Sequence, residues 1–447
     1  MNDNPILKAI ANCNPNLPLE PHDPKFVDLD DIRGFALRKR ILRLVQAAET
    51  DRQFAKIAVA GHRGAGKSTE LNRTQEELKQ NAYITLWASV NENLDPRDIS
   101  FSDVMRLIVQ LIDDRFGQEA AANPPVKEAF RVVGEWFKEV TKKFQQKIQY
   151  AKDLGLRARV GGAAGADVSF GLPKFKTELG ELSAAISVVR QSEDSESTEI
   201  KETLERYNNQ LVENVNSLLH AVTQHCCAGS KLVFILDNVD KYEPATVNQA
   251  FLRHADLFHQ LESHLIFTLQ SSLLYKPVDN AVEQSFRTET LPMLPVFEPR
   301  SRRLNTPVVA KIREAVYKRV PTELFGGGDD AVNEIILASG GCWRDLLRLL
   351  QEALLGADAN IGADDIRKAR QRVALSYQRL LRSGNDLTLL AEAHLRHVIL
   401  SDDATQFLLH HLCLLFYNGE GWYDVHPLLD TYVPLQEAIQ SARRVNR

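Results

Sequence analysis

The sequence predicts an α/β protein: a parallel sheet core covered by helices, followed by a helical domain and a small terminal unit of helices with one hairpin. Three observations predict it. Up to about residue 300, short apolar β-branched runs alternate with helical stretches. A glycine-rich loop stands between the first of these runs and the helix that follows it. Beyond about residue 305 the pattern is helical until Leu412–Tyr417 and Trp422–His426, two apolar runs on either side of Asn418-Gly419, a good hairpin signal.

The first strand reads as Ala55–Ala60 and leads through the loop into a helix that starts near Thr69. Further strands read as Tyr83–Ala88, Lys231–Leu236, Leu265–Leu269 and Thr288–Leu294. Far more chain separates the second and third strands than a crossover needs. It reads as a helix over 101–118, a break at Pro124-Pro125, and a second helix with Phe130, Val133, Phe137, Val140, Phe144 and Ile148 as one apolar stripe. Gly161–Gly171 is too rich in glycine for a helix and reads as a hairpin or a loop, 191–197 as a solvated linker, and about Glu202–Cys226 as a helix returning to the core. The resulting division is 1–100, N-terminal segment and first half of the core; 101–204, insertion; 205–304, second half; 305–383, helical lid; 384–447, a winged-helix-like unit.

Composition narrows the class. A chain of 447 residues exceeds one ordinary core, and 44% hydrophobic with 25% charged residues is the balance of a soluble globular protein. No apolar run approaches the roughly 20 residues that cross a bilayer, and the amino terminus lacks the basic start and apolar stretch of a secretory signal, so a cytoplasmic protein is expected. The five cysteines show no CxxC spacing and read as buried thiols. His220/His225 and His254/His259 stand five apart, and His394/His397 lacks the glutamate of a metalloprotease helix, so no transition-metal site is expected. A net charge of -5 leaves the choice of partner to local charge.

Gly61-His62-Arg63-Gly64-Ala65-Gly66-Lys67-Ser68 matches G-x-x-x-x-G-K-[ST] and lies between a strand and a helix, as a phosphate cradle requires. Glycines let the backbone N–H groups turn inward, and the helix that opens at the loop, through Thr69, presents its positive end to the same anion. Lys67 is expected to reach the β- and γ-phosphates of ATP, and Ser68 to ligate Mg²⁺. The third strand ends in Leu236-Asp237-Asn238-Val239-Asp240, where Asp237 suits the metal shell as a Walker B carboxylate. Many P-loop ATPases place a glutamate directly after that aspartate to activate water. Here the position is Asn238, and an amide positions water but is no effective base. Either Asp240 takes the role or turnover is slow.

These motifs together resemble AAA+ ATPases of the origin-recognition and initiator type and the neighbouring STAND signalling ATPases, over roughly residues 24–440. Phe26–Gly34 resembles the segment those proteins lay beside the adenine, with Arg-Gly in place of the usual Gly-Arg. The resemblance implies a polar sensor at the end of the fourth strand, assigned to Gln270, and an arginine finger before the fifth, assigned to Arg287 with Arg300, Arg302 and Arg303 as alternatives. Ser339–Leu349 resembles a sensor-2 helix, which aligns Arg344 with the arginine that contacts the γ-phosphate. The implied protein is a P-loop NTPase with a helical insertion, a helical lid and a C-terminal winged helix.

The implied activity is ATP hydrolysis, slow or dependent on assembly, because a finger from a neighbouring subunit completes the site. Two functions follow. One is a STAND-like switch that couples nucleotide state to homo-oligomerisation and to an effector or sensor protein, with a setting in bacterial defence. The other is a DNA-associated loader or regulator of the replication or transposition type. For DNA, residues 364–382 carry Arg367, Lys368, Arg370, Arg372, Arg379 and Arg382 against Asp364 and Asp365; the insertion carries Lys138, Lys142, Lys143, Lys147, Lys152, Arg157 and Arg159. Against it, the tip of the hairpin carries Glu420, and basic helix faces are usually only solvated. A membrane is disfavoured because Glu135 and Glu139 interrupt the basic face. A metabolic kinase fits the P-loop but leaves the lid and winged helix without a purpose.

Overall fold

The structure is a computed structural model that describes residues 4–153, 195–275, 281–381, 384–399, 402–417 and 421–445, apart from positions 96, 98 and 300, with the backbone alone for 141–153, 195–206 and 281. Five strands form one sheet in the order β2-β3-β4-β1-β5, with β1 at Lys56–Gly61, β2 at Ile84–Ser89, β3 at Leu232–Asp237, β4 at His264–Gln270 and β5 at Arg287–Thr290. Every residue of β1, β3 and β4 is buried, and their inner stretches Ile57–Ala60, Leu232–Leu236 and Leu265–Phe267 are unbroken apolar runs rather than alternating, as in strands covered on both faces. By contact density the chain divides into two units, Met1–Leu44 with Ile57–Glu77 and Phe267–Arg447, and Val45–Lys56 with Leu78–Ile266.

In the second unit β2 pairs parallel with β3, Ile84 opposite Leu232 through to Ser89 opposite Asp237. The helix Phe101–Ala121 starts at Ser100, whose hydroxyl accepts the Asp103 N–H while Asp103 accepts the Ser100 N–H, a reciprocal cap that satisfies two helix-end donors. Pro124 occupies the first turn of the next helix, Pro124–Asp153, because its fixed φ suits that position. Phe130, Val133, Phe137 and Val140 of its stripe are buried. Both helices pack on a third, Ser195–Cys226. That helix begins earlier than the sequence predicts and absorbs Ser195–Ser197, expected as linker. Gly161–Gly171, Arg157 and Arg159 lie outside the described residues.

In the first unit β1 pairs parallel with β5, Ile57 opposite Arg287 through to Ala60 opposite Thr290. Strand β5 is shorter than the predicted Thr288–Leu294. After Thr290 the chain leaves the sheet, and Met293 pairs instead with the terminal hairpin, its N–H donating to the Phe416 carbonyl at 3.1 Å. Four lid helices follow at Thr306–Tyr317, Gly328–Ala338, Trp343–Gly356 and Ala363–Gln378. The terminal unit has helices Gly384–Arg396 and Asp403–His410, the antiparallel pair β6 (Leu414–Tyr417) and β7 (Trp422–Val425), and a last helix, Val433–Val445, which the sequence reading does not foresee. The turn residues Asn418 to Glu420 lie outside the described residues.

Lid and terminal unit meet around a buried carboxylate. Asp345 of the helix Trp343–Gly356 accepts hydrogen bonds from Tyr377 Oη at 2.6 Å and Arg348 Nη1 at 3.0 Å, and His426 Nε2 lies 3.2 Å from it. None of the described helices is long and apolar enough to cross a membrane.

Candidate functional site

Strand β1 delivers the chain into the loop Gly61–Ser68, and the helix Lys67–Gln80 carries it away. Gly64 and Gly66 take φ of +85° and +96°, the left-handed region that L side chains rarely adopt. Gly64 is needed for space as well: a Cβ there would lie 2.6 Å from Cys342 Sγ and 2.9 Å from Arg344 Cβ. The first N–H groups of the following helix have no carbonyl a turn behind them within the helix, which leaves the loop end positively polarised. Lys67 is buried, and its Nζ donates to the carbonyls of Gly61 and His62, both at 2.8 Å.

The loop is held from three sides within the first unit. The N-terminus of the helix Trp343–Gly356 sits on it: Trp343 N–H donates to the Gly64 carbonyl at 2.9 Å. Arg344 is half-buried, and its Nε is buried with no hydrogen-bond partner among the described residues. From the N-terminal segment, Arg33 Nη2 donates to the Ala65 carbonyl at 3.0 Å and Nη1 to Glu70 at 2.7 Å. From the terminal hairpin, Phe416 N–H donates to His62 Nε2 at 2.9 Å. Burial, and then the nearby Lys67 charge, push the His62 imidazole down to about 3, so it stays a neutral acceptor. Its side chain therefore faces β6. Arg63 and Ser68 are half-buried, and Thr69 Oγ1 accepts the Leu19 N–H at 3.1 Å.

The acidic motif stands in the second unit. Asp237, the last residue of β3, is buried, and its Oδ1 accepts the Asn238 N–H at 2.7 Å. Asn238 has φ +64°, which asparagine tolerates better than most residues, and its amide donates to Ser89 Oγ at 2.8 Å. Asp240 is buried in the short turn Val239–Lys241. Oxygen donors at Ser68 and Asp237 are of the type that Mg²⁺ takes.

The sensor and finger assignments have distinct surroundings. Gln270 is buried at the end of β4 with its Oε1 2.5 Å from His410 Nδ1. Arg287 is the first residue of β5 rather than its predecessor; its side chain is 63% exposed, with Nε 3.9 Å from Glu289 Oε1. Arg302, its alternative, is committed elsewhere, to Asp424 at 2.7 Å and Asp430 at 2.9 Å; Arg303 is exposed, and Arg300 lies outside the described residues. Much of the basic charge near 364–382 is paired internally: Arg367 and Lys368 with Asp364, Arg370 with Glu334 and Arg372 with Glu352. Arg379 is exposed, and Arg382 lies outside the described residues.

The group that the motif implies fits these residues. Gly61 and Gly64 occupy places where a Cβ would lie 2.5 Å from the Leu291 carbonyl oxygen and 2.6 Å from Cys342 Sγ, and an orphaned guanidinium nitrogen belongs to the arginine packed on Gly64. Sequence reasoning missed Arg33, Glu70, Trp343 and the hairpin contact to His62. No local pattern joins positions so far apart; the one available signal was an acidic residue in the first turn after Lys67.

No protein-family model and no curated protein matches the chain. Among solved structures it is similar to the ORC2 protein of Aeropyrum pernix in ADPNP-ADP complexes, at 11% identity over 97% of this chain and 98% of that one, with a TM-score of 0.39. It is likewise similar to Cdc6p of Pyrobaculum aerophilum, at 10% identity over 97% and 98% of the two chains with a TM-score of 0.39, and to the Aeropyrum pernix ORC1 protein in complex with DNA, at 11% over 98% and 97%, again at 0.39.

Proposed function

We propose that the chain is an ATP-binding switch of AAA+/STAND type, which hydrolyses ATP slowly or on assembly and couples its nucleotide state to oligomerisation and to a protein partner. The observation that carries this reading is the seating of the helix Trp343–Gly356 on the phosphate loop, with Arg344 against Gly64 and its Nε unpartnered among the described residues. A ligand can shift a conformational equilibrium only through contacts that differ between the two states. A phosphate in the loop lies beside a lid arginine, so di- and triphosphate present that lid with different charge.

In this reading the loop N–H groups and Lys67 bind the phosphates, Ser68 and Asp237 hold Mg²⁺, and Arg344 senses the terminal phosphate. ATP with its metal supplies the electrophile. Asp240 orients the attacking water; Asn238, occupied with Ser89, is no base. The exposed Arg287 is the group offered to a second subunit. A setting in bacterial defence rests on the resemblance of Leu236–Asp240 to STAND proteins.

Titration with ATP tests the loop. Lys67→Ala should abolish tight binding, and retained affinity overturns the reading. The hydrolysis rate is then measured with and without duplex DNA at fixed moderate salt. A low rate indifferent to DNA supports the switch, whereas stimulation by DNA moves the assignment to a DNA-associated loader.

A further inference from the structure

The N-terminal segment reaches the phosphate loop through the side chain of Arg33. Arg33 closes the short helix Asp30–Arg33, and Gly34 then turns the chain away in the left-handed region at φ +75°. Its guanidinium is almost wholly buried, 3% exposed, and so is its partner Glu70, at 4%. Nη1 donates to Glu70 Oε1 at 2.7 Å while Nη2 donates to the Ala65 carbonyl at 3.0 Å, so the planar fork spans the carboxylate and the loop backbone together. Nη2 also lies 3.4 Å from where a Cβ on Gly66 would stand.

A trans peptide is planar, and its C=O and N–H point in opposite directions. Holding the Ala65 carbonyl toward Arg33 therefore holds the Gly66 N–H away from it. Gly66 has no side chain to bias that peptide, and its φ of +96° is open to many alternatives in a free loop. The contact sets one of them. Glu70 aims the guanidinium, and Arg73 Nη1, 3.1 Å from Glu70 Oε2, holds that carboxylate in turn.

We propose that Arg33 is a positioning residue of the nucleotide site: aimed by Glu70, it fixes the Ala65–Gly66 peptide with its N–H turned inward to receive the phosphates of a nucleoside di- or triphosphate. This rests on the phosphate-loop reading and deepens it. The N-terminal segment then helps set phosphate affinity, apart from any contact it makes with the base.

The test uses the full chain and a fluorescent ADP analogue, with melting temperature measured in parallel. Arg33→Met leaves the buried Glu70 short of a cation, so it is expected to lose stability as well as affinity. Arg33→Met/Glu70→Met removes both charges and the anchor together, and an apolar pair of similar volume is often tolerated in a buried site. The double variant should melt near the wild type yet bind the analogue at least about tenfold more weakly, the loss expected of one charge-assisted hydrogen bond. Arg33→Lys should recover part of that affinity, because one ammonium still reaches the carbonyl.

Wild-type affinity in the double variant overturns the proposal. So does a loss of affinity only in variants whose melting temperature falls in proportion, since that marks a structural pair. The two readings fail separately. If Lys67→Ala binds the analogue like the wild type, the phosphate loop itself is misassigned; if Lys67→Ala loses binding and Arg33→Met/Glu70→Met keeps it, only the role of Arg33 falls.

Discussion

Replacing Asp345 by alanine should cost about 3–5 kcal/mol, the range for breaking a buried ionic hydrogen-bond network. The figure follows from what the carboxylate satisfies. Tyr377 Oη at 2.6 Å and His426 Nε2 at 3.2 Å are both buried, and without an acceptor each loses about 1–3 kcal/mol. Arg348, with a side chain 35% exposed, turns to water and adds little. The same network sets an acid limit. Burial alone would raise the Asp345 carboxyl, but the hydrogen bond and charge of His426, with Tyr377 and Arg348, outweigh it and hold the group down to about 2.

A carboxyl lowered on folding contributes its stability above its unfolded value, 3.8, and loses it as the pH falls toward 2. The difference of nearly two units is worth about 2 kcal/mol. Urea unfolding followed by tryptophan fluorescence measures both effects, since Trp343 opens the helix that carries Asp345 and Trp422 lies in β7, which ends one residue before His426. Asp345→Ala should shift the midpoint strongly, and Asp345→Asn should flatten the loss of stability between pH 4 and 2. An Asp345→Ala protein within about 0.5 kcal/mol of wild type, the scatter of an ordinary surface change, refutes the reasoning.

Three further outcomes are expected. Gly64→Ala puts a methyl 2.6 Å from Cys342 Sγ at a φ of +85°, and should cost about 1–3 kcal/mol in a melting assay while weakening ATP binding; an unchanged melt means the lid helix is not seated there. Asp240→Asn should slow single-turnover hydrolysis more than it weakens binding, and an unchanged rate removes Asp240 from water activation. If Arg287 acts across subunits, mixing Arg287→Ala with Lys67→Ala restores hydrolysis; absence of rescue argues against that placement.

What the sequence determined by itself is local or periodic. Gly61–Ser68 called for a tight loop between strand and helix because its glycines permit positive φ, and Gly64 and Gly66 adopt it. The strands were legible because burial on both faces demands unbroken apolar runs, and the hairpin because Asn-Gly divides two of them. The end of β5 was not. Leu291–Leu294 reads as strand continuing from Thr288, and only the terminal hairpin, more than a hundred residues later, decides that Met293 pairs with it instead.

The roles of charged side chains were the least legible part of the candidate site. Arg302 and Arg287 look alike in sequence, yet Asp424 and Asp430 hold the first at 2.7 Å and 2.9 Å while the second, 63% exposed, lies 3.9 Å from Glu289. The basic residues near 364–382 read alike in sequence, yet Asp364, Glu334 and Glu352 pair with four of them and not with the rest of the described ones. His62 occupies a loop position but turns its ring to Phe416, and Arg33 acts on a loop 32 residues further along the chain. A long polar side chain takes whichever partner the fold brings within about 3 Å of its tip, and residue spacing carries no record of that distance.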